Sequence, residues 1–133
     1  MKNTFDQQLL REFSGKNGLQ LLVLFGSQAS GKTHPKSDTD IGFVSARKKN
    51  LLETIALQSD MSRVFAIRDI DLVDLRTVSP LFLKNITDFG VVLYEEYPGF
   101  FAELRMYAFK LFVETKPLRA LRAASLERFL QTV

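Results

Sequence analysis

The chain has no cysteine, one histidine, and no run of apolar residues of membrane-spanning length. Each absence removes a class of function. Without cysteine there is no disulfide, no thiolate nucleophile and no thiolate zinc site, and His34 alone cannot build a histidine-rich metal centre. Any metal must therefore be held by oxygen. A membrane helix needs roughly 20 apolar residues, and the N-terminal segment, with Asp6, Arg11 and Glu12, lacks the apolar centre of a secretory signal. The expected location is the cytoplasm, with no membrane partner.

What is present is ordinary in bulk and uneven in charge. At 133 residues, 46% hydrophobic and 25% charged, the chain has the length and composition of one globular domain. Its net charge of +3 is concentrated at the end. From Arg105 onward Arg105, Lys110, Lys116, Arg119, Arg122 and Arg128 face only Glu114 and Glu127, while the rest of the chain is about neutral. A charged helix face is most often simply solvated; the alternatives are an acidic partner or a nucleotide.

Apolar spacing predicts a helix over residues 4–14, carried by Phe5, Leu9, Leu10 and Phe13 and stopped by Gly15 and Gly18. "LQLLVLF" follows as a strand covered on both faces. Residues 26–38, with two glycines and a proline, read as turn and loop, with room for a short helix after Ser27. "TDIGFV" is extended, 50–65 is helical, and "IRDIDLVDL" alternates as a strand does. Ser79-Pro80 opens a helix ending near Gly90, "VVLYE" is a short strand, and helices are expected over 99–114 and 117–131. This order implies an α/β or α+β domain, a small sheet with helices packed on it.

Two acids one residue apart on a strand share a face, so Asp38 and Asp40 sit with Cα atoms roughly 6.5–7 Å apart. Unpaired, such carboxylates repel; a divalent cation turns the repulsion into coordination, and hard oxygen ligands suit Mg²⁺ with its waters and substrate phosphates. In "IRDIDLVDL", Asp69, Asp71, Val73 and Leu75 share one face and Ile70, Leu72 and Asp74 the other. If this strand lies beside the first, Asp71 completes a carboxylate cluster fit for two-metal phosphoryl displacement. Asp69, at the strand entrance, and Asp74, on the other face, are expected to be capping or solvated residues. Upstream, Gly26 lets the backbone approach a polyphosphate closely, and the Ser27 hydroxyl with the following N–H groups can donate to phosphate oxygens.

Gly26-Ser27, then Asp38-x-Asp40, then "IDLVDL" resembles the signature of the DNA polymerase beta-like nucleotidyltransferase superfamily. The short length resembles its minimal nucleotidyltransferases (MNT), found with HEPN proteins as toxin–antitoxin pairs. The resemblance spans about residues 21–75. It implies a small mixed sheet flanked by helices in a single domain over 1–133, with 1–95 as catalytic core and 98–133 as C-terminal helices. It further implies that Gly26 and Ser27 bind the nucleotide and that Asp38, Asp40 and Asp71 are the catalytic, metal-binding residues holding Mg²⁺. The expected activity is transfer of AMP from ATP to a protein hydroxyl, a tyrosine of a HEPN toxin, with no direct nucleic-acid substrate. Alternatives are transfer to a small molecule of aminoglycoside type, and a non-catalytic toxin-binding module. Many relatives carry an arginine in a loop pattern like Gly-Ser-x-Ala-Arg-Gly. Here Gln28, Ala29, Ser30 and Gly31 follow Ser27, so phosphate charge would fall to Lys32 or a C-terminal arginine. Lys32 and Lys36 otherwise only solubilise the loop, His34 reads as exposed, and Phe82, Phe89, Phe109 and Phe112 read as packing residues.

Overall fold

The computed structural model describes residues 5–26 and 38–132. Helix α1 (Gln7–Asn17) starts where the Asp6 side chain accepts from Leu9 N at 3.0 Å and stops at Gly18, whose φ of 66° is left-handed. It therefore begins and ends three residues later than the spacing predicts. The reason is that Asp6 fixes the start, and Gly15 is carried inside the last turn.

Strand β1 (Leu19–Phe25) pairs antiparallel with β2 (Thr39–Ser45). A capping box between Asn50 and Glu53 then opens α2 (Leu51–Phe65). This helix is the crossover to β3 (Ile70–Asp74), which runs parallel to β2. Sequence alternation predicted a longer strand over 67–75; pairing confines it to five residues. The Ser79 side chain caps α3 (Pro80–Phe89), as its Ser-Pro start suggests, and β4 (Val91–Glu95) returns antiparallel along β1. Helices α4 (Phe100–Glu114) and α5 (Lys116–Gln131) follow. The mixed sheet has the order β3-β2-β1-β4.

Strand alternation splits the core into two layers. On one face Leu22, Ile41, Phe43, Ile70 and Leu72 are buried with Leu10 and Phe13 of α1 and Leu57, Met61 and Phe65 of α2. On the other, Leu21, Val23, Phe25, Val44 and Leu75 pack with Leu83 and Ile86 of α3 and Ala108 of α4. Burying each such side chain contributes about 1.5–3 kcal/mol relative to leaving it exposed, so the sheet is anchored from both sides. None of the four phenylalanines read as packing residues belongs to the core: Phe82 is 40% exposed, Phe89 73% and Phe109 60%, and Phe112 is half-buried. Helix α5 goes further, having no buried residue at all. No described helix is long and apolar enough to cross a membrane.

Candidate active site

Three chain segments meet where β1 ends and β2 begins. Phe25 is the Cα partner of Asp40 across the antiparallel β1–β2 pair, and Asp40 is the partner of Asp71 across the parallel β2–β3 pair. Neighbouring strands lie about 4.8 Å apart, so two carboxylates stand side by side on one sheet face. Thr39 N donates to the Asp69 carbonyl at 2.7 Å and fixes this register. Asp38, just before β2, is exposed, as is Asp71; Asp40 between them is half-buried. The Asp40 carboxyl is raised above its ordinary pKa, first by burial and then by the charges of Asp71 and Asp38.

Gly26 completes the cluster from the β1 side. Its φ is 77°, and a Cβ added there would collide with Asp40 Oδ2. Backbone and carboxylate are thus in close approach, which only glycine permits. Ser27, Lys32, His34 and Lys36 lie outside the described residues.

The acids are adjacent without being gathered into one ligand set. Among the described residues no group of three His, Cys, Asp or Glu side chains is arranged to hold a metal ion by itself. The donor chemistry still fits Mg²⁺, which takes one or two carboxylates and fills the rest of its shell with waters and substrate phosphates.

The other two acids of the "IRDIDLVDL" segment do different work. Asp74 pairs with Phe43 and its carboxylate accepts from Arg76 N at 2.9 Å, closing the turn after β3. Asp69 lies with Asp38 and Asp71 in the wall of an open cleft of about 720 Å³, opposite Ser59 and Ser62 of α2 and next to Arg68. Arg68 is the one cation in that lining. Sequence reading passed over Arg68, Ser59 and Ser62. Arg68 was visible beside the acids, and the serines stand one helical turn apart, but neither spacing distinguishes a cleft from solvent. Gln58, on the same helix, accepts from Leu72 N at 2.9 Å and so occupies the outer edge of β3.

The sequence profile described as polymerase beta, nucleotidyltransferase, matches residues 7–98. A protein adenylyltransferase MntA of Aphanizomenon flos-aquae is 30% identical over 122 residues, 85% of this chain and 81% of that protein. The fold is shared with a solved toxin–antitoxin structure with AMP-PNP, at 24% identity and TM-score 0.76 over 94% of this chain and 98% of the other. It is also shared with a complex of a tri-AMPylated Shewanella oneidensis HEPN toxin and MNT antitoxin, at 23% identity and TM-score 0.68 over 94% and 99%. The profile stops before α4, whereas a match over 94% of the chain leaves too few residues out to omit α5. Nucleotidyltransferases of this kind generally use a divalent metal. With Gly26 against Asp40, Asp40 beside Asp71 and the profile spanning all three, the chain belongs to the polymerase beta nucleotidyltransferase family.

Proposed function

We propose that the chain is a Mg²⁺-dependent protein adenylyltransferase of the cytoplasm, which moves AMP from ATP to a side-chain hydroxyl of a cognate HEPN-type toxin and thereby acts as its antitoxin. The observation that carries this reading is the Asp40–Asp71 pair held beside Gly26. The adenylyltransferase name of a 30% identical relative supports the nucleotide and the class of acceptor.

In this reading Gly26 admits the triphosphate, and the Ser27 hydroxyl donates to a phosphate oxygen. Asp38, Asp40 and Asp71 hold Mg²⁺, which neutralises charge on the phosphates and favours ionisation of the acceptor hydroxyl. The acceptor oxygen bonds to the α-phosphorus, the bond from that phosphorus to the bridging oxygen breaks, pyrophosphate leaves, and the hydroxyl proton passes to water. Positioning and charge neutralisation supply most of the rate.

The test mixes the chain with its cognate HEPN-type protein, ATP and Mg²⁺ and weighs that protein by intact-mass spectrometry. Steps of one AMP are expected, absent without Mg²⁺ and absent with Asp40→Asn. Neutralisation of the toxin by wild type and Asp40→Asn alike, with no mass change, would establish a contact-only antitoxin instead.

A further inference from the structure

Helix α5 contributes 16 residues and no buried side chain, while Leu118, Leu121, Leu126, Phe129 and Leu130 are each more than half exposed. Apolar surface left in this way marks an interaction site. Against the start of α3 it forms a groove of about 540 Å³, in which Pro80 and Leu81 face Leu118, Ala123 and Leu126.

Two arginines line the same groove and differ in what they do. Arg119 is committed to the fold: its guanidinium lies 3.9 Å from the Phe112 ring centroid and donates to the Phe112 carbonyl and Thr115 Oγ1 at 2.9 and 2.7 Å. Arg122 has no hydrogen bond or ion pair with any described residue. A free guanidinium on an apolar groove calls for a carboxylate from outside.

We infer that the α3–α5 groove is the docking surface for the HEPN-type toxin, taking an apolar side chain of the partner flanked by acidic residues; this rests on the transferase reading above. A second copy of the chain is a poor occupant. Symmetric pairing would bring together two segments that each carry six basic residues against two acids from Arg105 onward. The segment is also additional to the matched nucleotidyltransferase region while belonging to the fold shared with toxin–antitoxin chains. The groove residue Leu81 is followed on α3 by Phe82, which links this face to the strand next to that of Asp40. Phe82 of α3 packs edge-on against Phe25, ring centroids 5.7 Å apart, and Phe25 is the strand partner of Asp40.

The experiment compares wild type, the double variant Leu118→Glu/Leu126→Glu and the single variant Arg122→Glu. For each, affinity for the HEPN-type protein is measured at two salt concentrations, together with ATP binding, self-association and the mass of the partner after reaction. The double variant is expected to lose at least about tenfold in partner affinity while binding ATP like wild type. Arg122→Glu is expected to weaken docking and flatten its salt dependence. Wild-type partner affinity in both variants would overturn the surface while leaving the transferase reading intact, since wild type would still label the partner. A wild-type dimer dissolved by the variants, with partner affinity unchanged, would assign the groove to a second copy and overturn the proposal. Partner binding lost in the variants but no AMP transfer by wild type would keep the surface and remove the transferase reading.

Discussion

Asp40 and Asp71 are directly opposed across the parallel β2–β3 ladder, so the two carboxylates whose repulsion a cation would relieve come from strands on either side of the α2 crossover. Asp40 bears the cost, because it is the more buried of the two.

Replacing Asp40 tests that cost directly. Its folded-state pKa lies above the ordinary 3.8, so the ionised carboxylate weakens the fold at neutral pH, and the penalty fades as pH falls and the group takes up its proton. Asp40→Asn should melt about 1–3 °C above wild type at pH 7 without divalent metal. The gap should close toward pH 4, and AMP transfer should fall at least about 100-fold. A lower melting point at pH 7, or wild-type transfer, refutes the assignment.

Asp71 and Asp74 separate chemistry from turn closure. Asp71→Asn is expected to abolish transfer with little change in melting. Asp74→Ala should keep transfer and cost about 0.5–1.5 kcal/mol through the lost bond to Arg76 N. Initial rates at saturating ATP and urea midpoints decide between them; the reverse pattern would put the wrong acid at the site.

At Gly26 the constraint is both conformational and steric. Gly26→Ala places a side chain at φ 77° and forces the Asp40 carboxylate to move. A stability loss of about 1 kcal/mol is expected from the backbone alone, with kcat down at least about tenfold from the displaced acid. Melting curves and single-turnover rates measured together would expose a change in one without the other.

Gln58→Leu should lower stability by about 1 kcal/mol, since Leu72 N loses its acceptor at the sheet edge. Gln58→Glu keeps an acceptor and should restore most of that loss at pH 7. Equal denaturant midpoints for wild type and Gln58→Leu would show that water replaces the bond without penalty.

Much of this architecture is local and therefore readable in order. The continuous apolar run of β1, the Ser79-Pro80 start of α3 and the "VVLYE" strand each carry their own signal, and each forms over the expected residues. The face assignment of β3 is local too: alternation alone puts Asp71 with Val73 and Leu75, and both apolar residues join the layer containing Phe25. Pairing is not local. That β3 lies next to β2, and that Asp71 falls opposite Asp40 rather than two residues away, depends on how α2 packs its Leu57, Met61 and Phe65 stripe onto the sheet. Nor does periodicity reveal what a helix packs against. Phe109 of α4 and the leucines of α5 have core-like spacing and face outward, because spacing encodes a stripe and not its occupant.

The crossover through α2 also sets when the acid pair can exist. A parallel pair needs a crossover segment between its strands, so the Asp40–Asp71 contact spans more of the chain than the β1–β2 pairing does. A chain emerging from the ribosome has Asp38 and Asp40 long before it has Asp71 beside them. A nascent chain shorter than 71 residues therefore lacks part of the carboxylate set, whatever its local structure.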